Sequence, residues 1–255
     1  MRAMVLAAGR GERLRPLTET LPKPLIPLGG KPLLDYTLTY LRNCGIDEVV
    51  INLHHLASAI RDFVGDGSRW GLRAVYSFER TLLGTGGGIQ KAAPHLVGDT
   101  FVVMNADIVL EVDLREVLRF HREKQGSVTL VLRQDPDVER YGVIEIDADC
   151  RVREFLGRLG LPRRLRKRLM FTGLHVLEPT VFSYMPVDRP SFSITDVYVE
   201  MIRAGETVLG YEMKGFWTDL GTRERYRLMQ RMLERREISL ERLASACCGN
   251  GLKNP

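Results

Sequence analysis

At 255 residues, with 44% hydrophobic and 27% charged side chains, the chain can bury a large core and is too apolar for wholesale disorder. The composition excludes a fibrous repeat, and no apolar run, Val49 to Leu53 and Phe101 to Met104 included, approaches the ~20 residues of a membrane span. A formal charge of +5 and a pI near 9.1 fit nucleic acid or a site for polyphosphates equally well.

In chain order, strand-type runs at Ala3 to Ala8, Val49 to Leu53, Ala74 to Phe78, Phe101 to Asn105 and Val128 to Arg133 alternate with helical patterns at Leu33 to Cys44, Leu56 to Val64, Gly88 to Ala93 and Leu114 to Lys124. The alternation predicts an α/β fold: a three-layer, Rossmann-like, mixed but mostly parallel sheet with helices on both faces. Gly45 is placed to end the first helix and Asp113 to cap the fourth. Beyond Asp135 the strands shorten, at Gly142 to Ile146, Val152 to Phe155 and Met170 to Leu177, which predicts a smaller β-rich portion. Helical character returns at Ile194 to Ala204, where Ser193 is a natural cap, and from Thr222 into Arg236, an Arg/Glu-rich solvated face. Residues 237–255 read as a tail, frayed from Gly249 to Pro255.

These patterns predict one domain over 1–236, its first part about 1–134 and its second about 135–221. No internal repeat is visible, so a left-handed β-helix and trimerisation through it are not expected, leaving a monomer or homodimer. Met1 to Ala8 lacks the pattern of a signal peptide, which implies a cytoplasmic chain. Cys44, Cys150, Cys247 and Cys248 form no CxxC pair or zinc spacing, and reduced, structural cysteines are the expectation.

The most informative stretch is Leu6-Ala7-Ala8-Gly9-Arg-Gly11-Glu-Arg13-Leu-Arg-Pro16-Leu-Thr18, followed by Pro22-Lys23-Pro24. Glycines directly after a buried strand let backbone N–H groups approach an anion, so this is a phosphate loop on physical grounds. A dinucleotide GxGxxG fails at Leu14, and Asn52-Leu53-His54 offers no acid for a ribose; a Walker loop fails because Pro32 follows Gly30-Lys31. The segment resembles the GxGxRLxPLT and PKP signature of the sugar nucleotidylyltransferase family. That resemblance implies the nucleotide-diphospho-sugar transferase fold, which is GT-A-like, and substrates that are a nucleoside triphosphate and a sugar-1-phosphate. It further implies that Arg13 grips the β- and γ-phosphates, that Lys23 contacts the α-phosphate, and that Leu6, Ala7, Ala8, Gly9 and Gly11 line the nucleotide.

Other segments extend the likeness over nearly the whole chain. Leu83-Gly84-Thr85-Gly86-Gly87-Gly88 resembles the family's LGTxGG, which implies nucleotide contacts for Thr85, Gly86 and Gly87. Asn105-Ala106-Asp107 resembles NGD, with Ala106 for the glycine, and Phe216-Trp217-Thr218-Asp219-Leu220-Gly221-Thr222 matches W-x-D-x-G-T. The implied metal ligands are Asp107 and Asp219, holding Mg²⁺, a hard cation suited to carboxylate and phosphate oxygens. Tyr141-Gly142-Val143 and Phe171-Thr172-Gly173 resemble sugar-side segments, so Gly142, Thr172 and Gly173, with Asn105 and Trp217, are candidate sugar contacts. Relatives carry a Glu-Lys pair (FxEKP) where this chain reads Glu154-Phe155-Leu156-Gly157-Arg158, so the Glu of the pair is lost and Arg158 stands for the Lys, with Glu154 and Arg158 both kept as candidate sugar contacts.

A sugar-1-phosphate is largely a dianion at neutral pH, so its attack on an α-phosphorus needs alignment and charge neutralisation rather than a base. None of the five histidines lies in these motifs, and His54, His55 and His175 read as packing or capping residues. No GxSxG elbow is present. The run Arg163-Arg164-Leu-Arg166-Lys167-Arg168 reads as a solvated loop, with recruitment of an anion as its alternative. The overall look favours GTP with a mannose- or heptose-type sugar, with a uridylyltransferase for a muramate- or glucose-type sugar as the alternative. A catalytically silent scaffold or sensor and a nucleic-acid-binding module are the competing classes.

Overall fold

The computed structural model describes residues 1–160 and 167–248. Arg163, Arg164, Arg166 and the tail from Gly249 lie outside the described residues. The chain forms two compact units that interleave: Met1–Leu82, Asn105–Arg115 and Gly215–Pro255 make the first, Leu83–Met104 and Glu116–Lys214 the second.

In the first unit the apolar runs become strands Arg2–Leu6, Glu48–Leu53 and Arg73–Phe78, paired in parallel with Glu48 beside both Arg2 and Arg73. The first two carry near-continuous apolar sequence, and their central residues are fully buried, as strands covered on both faces require. Helix Leu33–Asn43 buries Leu33, Leu34, Leu38 and Leu41 and stops where Gly45 turns left-handed (φ +85°), with Ile46 N–H returning to Leu41 O at 3.1 Å. Its two tyrosines reach a neighbouring segment. The Tyr36 hydroxyl donates to Leu110 O (2.7 Å) and accepts from Leu110 N–H (3.1 Å), while that of Tyr40 donates to Val112 O at 3.0 Å. Strand Ile108–Leu110, held in this way, pairs antiparallel with strand Trp217–Asp219.

The expectation of reduced cysteines is overturned for one pair. Cys44, at the end of the tyrosine helix, is disulfide-bonded to Cys247, with Cα atoms 5.0 Å apart across 203 positions of sequence. Helix Leu240–Ala244 brings them together by packing on Leu33–Asn43, and Asn43 Nδ2 donates to Ala244 O at 3.0 Å. No local spacing signals a bridge of that reach. The segment after 236, read from sequence as a tail, thus contains a buried, bonded helix through Leu243 and Ala244.

The second unit is organised around one long strand, Lys167–Leu177. Its C-terminal half pairs antiparallel with Phe101–Asn105 on one side and Val128–Arg133 on the other; its first residues pair with Ile144–Ile146, which in turn pairs with Val152–Phe155. Strand Val208–Glu212, not anticipated from the sequence, runs parallel to Val128–Arg133. Helices Gly84–Leu96 and Ile194–Arg203 pack together, and Ser193 caps the latter through Thr195 N–H at 3.3 Å. Among the described residues no helix is long and apolar enough to cross a membrane. The fold class is therefore α/β with a mixed sheet and covering helices, as the sequence pattern predicts.

Adding a thiol reductant should lower the unfolding free energy by about 2–4 kcal/mol, since the Cys44–Cys247 bridge closes a long loop. Denaturant melts with and without reductant check this, and Cys247→Ser should remove the difference.

Candidate active site

The phosphate loop leaves strand Arg2–Leu6 at its carboxyl end, where parallel sheets gather ligands. Two bonds fix its root. Ala7 N–H donates to Asn52 Oδ1 at 2.7 Å, and Leu6 O accepts from Ala106 N–H at 3.1 Å. Asn52 is itself held through Nδ2 by Glu79 Oε1 at 2.7 Å, both side chains buried. The amide of Ala7, expected to line the nucleotide, is thus spent on structure. Gly9 lies exposed with open space around its Cα, and Ala8 is buried beside it.

Gly11 is glycine for two reasons: its φ is +63°, and a Cβ there would stand 2.8 Å from Thr18 Cγ2 and 3.2 Å from Lys23 Cβ. Thr18 closes the loop by donating to Gly11 O at 2.8 Å, and the short turn Glu12–Leu14 leaves Arg13 outward while Leu14 is buried. Pro22 and Pro24 flank Lys23 in a further short turn, Lys23–Leu25, which restricts the backbone next to that side chain. The Lys23 ammonium contacts Asp107 Oδ2 directly, with both side chains largely removed from water.

Asp107 and Asp219, 112 positions apart, are brought together by the two-stranded ribbon, in which Asp219 pairs with Ile108 and Leu220 N–H donates to Asp107 O at 2.8 Å. Asp219 Oδ1 accepts from Gly221 N–H at 2.8 Å, and Oδ2 contacts the guanidinium of Arg225. A Cβ at Gly221 would meet Asp219 Oδ1 at 2.5 Å and Arg13 Nη2 at 3.0 Å, which puts Arg13 at this same corner. Arg13, Lys23, Asp107 and Asp219 therefore converge within the first unit. Trp217 lies on the ribbon opposite Leu110 and is buried; Asn105 ends its strand half-buried, two residues before Asp107.

The donor set suits Mg²⁺: two carboxylates on adjoining backbone, partly open to solvent, with hard oxygens and room in the coordination sphere for phosphate. Among the described residues no cluster of three or more His, Cys, Asp or Glu forms a metal site.

The remaining candidates belong to the second unit. Thr85 Oγ1 accepts from Ile194 N–H at 2.9 Å, and Gly86 N–H donates to Phe192 O at 3.0 Å. A Cβ on Gly86 would overlap the Phe192 ring, and one on Gly87 the Pro190 carbonyl, so close packing against residues 190–192 accounts for these glycines. Gly142 has φ +95° and borders a cavity of about 330 Å³ together with Glu145, Glu154 and Arg168. Burial pushes the Glu154 carboxyl up, but the N–H groups of Leu159, Phe155 and Gly160 at 2.9–3.0 Å outweigh it and hold the group below the usual range. Arg158 is paired with Asp196 at 2.8 Å. Thr172 is buried, its hydroxyl donating to Val131 O at 2.7 Å, and with Gly173 (φ +89°) it forms the register shift of the long strand.

The three histidines read from the sequence as packing or capping residues make bonds within the fold. His54 and His55 bond backbone carbonyls at 3.0 and 3.1 Å, and His175, pushed down to about 3 by burial, shares a hydrogen bond with the Tyr198 hydroxyl. Of the basic run, Lys167 pairs with Glu212 at 2.6 Å and Arg168 with Glu139. Sequence reasoning missed Asn52 and Arg225, the one hidden as the end of a strand, the other among the arginines of a solvated helix.

A family model described as nucleotidyl transferase matches residues 2–236. The chain is 34% identical over 223 residues to the mannose-1-phosphate guanylyltransferase of Mycobacterium tuberculosis, covering 87% of this chain and 61% of that one. It is 36% identical over 226 residues to the N-acetylmuramate alpha-1-phosphate uridylyltransferase of Neisseria meningitidis, covering 87% and 94%. A Bacillus anthracis structure assigned as a glucose-1-phosphate thymidylyltransferase superimposes with a TM-score of 0.80 at 25% identity, covering 94% of this chain and 96% of that one. The chain spans about 60% of the length of several curated relatives it matches.

Asn52→Leu should destabilise the fold by about 1–3 kcal/mol, because it strands the buried Ala7 N–H and removes one hydrogen bond from the Glu79 carboxyl. Urea melts of the variant and parent check this.

Proposed function

The chain belongs to the nucleotidyl transferase family, and from that premise we propose that it transfers a nucleoside monophosphate from a nucleoside triphosphate to a sugar-1-phosphate, releasing pyrophosphate. The observation that carries the reading is the convergence of Arg13, Lys23, Asp107 and Asp219, from four separate stretches of sequence, beside a glycine loop at a strand end. That set has the charge pattern the reaction requires. In it a sugar-phosphate oxygen forms a bond to the α-phosphorus, the bond from that phosphorus to the bridging oxygen breaks, and pyrophosphate leaves with the electron pair. The nucleophile is already anionic, so no side chain must take a proton.

Asp107 and Asp219 would hold Mg²⁺, which when bound neutralises phosphate charge and orients the reactants. Lys23, flanked by two prolines, would meet the α-phosphate, and Arg13, beside Gly221, the β- and γ-phosphates. The open backbone at Gly9 allows the triphosphate to approach. The cavity beside Gly142 and Glu154 is the candidate seat of the sugar, where hydroxyl groups would meet backbone and carboxylate oxygens. For the finer specificity we favour GTP with a mannose- or heptose-type sugar phosphate. UTP with a muramate- or glucose-type sugar is the alternative, and relatives of both kinds share over 30% identity with the chain.

Pyrophosphate release from a panel of triphosphates and sugar-1-phosphates, with Mg²⁺, tests this. GTP with mannose-1-phosphate is expected to lead the panel. Nucleotide binding without turnover for any pair would replace the enzyme with a silent sensor. Asp107→Asn and Asp219→Asn should each cut kcat/KM by about 100-fold or more in protein that circular dichroism shows to be folded.

A further inference from the structure

Helix Leu240–Ala244 and the turn Ala246–Cys248 lie beyond residue 236, where the match to the family ends, yet they are built onto the acid-bearing ribbon. Leu243, Ala244 and Cys247 are buried, and Asn43 Nδ2 donates to Ala244 O at 3.0 Å. The sulfur of Cys247 makes two connections. One is its bond to Cys44, at the end of the tyrosine helix Leu33–Asn43; the other is to Leu114, whose N–H donates to Cys247 Sγ at 3.3 Å. Leu114 opens helix Leu114–Glu123, and the first N–H groups of a helix have no partner within it. Asp113 takes that of Arg115, and Cys247 takes that of Leu114. Leu114 stands seven residues after Asp107, and between them Tyr36 and Tyr40 grip the same stretch at Leu110 and Val112. Arg242 Nη2 also donates to Glu111 Oε1 at 3.1 Å, and Glu111 Oε2 accepts from Phe216 N–H at 3.4 Å, one residue before the partner strand. Arg242 keeps 78% of its exposure, so that pair contributes little and the buried sulfur carries the connection.

Resting on the reading of Asp107 and Asp219 as the acids of the reaction, we propose that residues 239–247 form a strap that positions this ribbon, with Cys247 as its positioning residue. Opening the Cys44–Cys247 bridge then spoils the aim of the acids without unfolding the chain. A helix of five residues with two buried side chains has little to hold it once the bridge is gone, so it opens locally. As the strap lifts, Leu114 N–H loses its acceptor, and one anchor of residues 107–114 is lost. The agent that opens the bridge is a dithiol. Its thiolate attacks one sulfur, the S–S bond breaks as a mixed disulfide forms, and the second thiol of the reagent displaces the protein sulfur to leave the reagent as a cyclic disulfide. Two electrons and two protons pass to Cys44 and Cys247, which end as thiols. Both residues are buried, so attack follows lifting of the strap and is slower than on an exposed bridge.

The test compares the full chain before and after dithiothreitol, in native buffer, by amide hydrogen exchange and by steady-state turnover. Two further thiols per chain should titrate after treatment. Exchange should quicken at Leu114 and across Ile108–Leu110, while the buried strand residues Val49, Val50 and Ile51 stay protected. The kcat should fall about tenfold, short of the roughly 100-fold that a misplacement of about 1 Å costs. The KM for the sugar phosphate should hold, since its candidate contacts Gly142 and Glu154 belong to the other unit. Reoxidation with a small disulfide should reverse both changes. Cys44→Ala combined with Cys247→Ala should match the reduced parent and ignore dithiothreitol, and the response of the parent decides the matter if that variant does not fold. In an active enzyme, an unchanged kcat or unchanged exchange over residues 108–114 would overturn the proposal and leave the transferase reading standing. Faster exchange at Val49, Val50 and Ile51 as well would also sink it, by making the bridge a staple of the whole unit. No turnover in either redox form would remove the transferase reading instead, and the exchange result would still establish the strap.

Discussion

Two carboxylates on adjoining backbone, Asp107 paired with Lys23 and Asp219 with Arg225, are the interaction on which the rest of this site depends. Asp107 and Asp219 are partly withdrawn from water, where like charges repel more strongly than in bulk solvent. Lys23 and Arg225 make their approach tolerable. Each carboxylate is held by one cation, Asp107 by Lys23 and Asp219 by Arg225.

The ribbon is narrow, with only three residues on each strand, and could not hold its position unaided. Tyr36 and Tyr40 supply the missing rigidity by bonding the main chain at Leu110 and Val112 from a buried helix. On the other flank, Asn52 ties the root of the phosphate loop to the neighbouring strand, and Leu6 O receives the N–H of Ala106. The loop and the acids are thus referred to one frame. This matters because groups that must align reactants lose about 100-fold in rate when misplaced by about 1 Å.

Much of this is legible in the sequence. The strands of continuous Val and Ile, Gly45 as a stop and Asp113, which accepts from Arg115 N–H at 2.9 Å, follow from periodicity and local chemistry. The glycine loop and the two acids are visible because their motifs are long and specific. What escapes detection depends on distance in sequence. The Cys44–Cys247 bridge, the pairing of Val208–Glu212 and the turn of Arg225 toward Asp219 arise only when remote or unremarked stretches meet. The second glycine cluster shows the opposite limit. Gly86 and Gly87 are explained by the bulk of Phe192 and Pro190, a requirement of packing that sequence alone cannot separate from one of binding.

The chain leaves the first unit at Leu82, returns for Asn105–Arg115, departs again and comes back only at Gly215. As it emerges during synthesis, the strand bearing Asp107 therefore waits for the whole of Glu116–Lys214 before its ribbon partner exists. Until then the two tyrosines have a strand to grip, but the carboxylate has no opposing edge. The half that carries the phosphate loop cannot mature first and stand alone. Arrival of the stretch from Gly215 to Arg225 is the event that assembles the charge cluster, so a chain that stops before it presents no finished site.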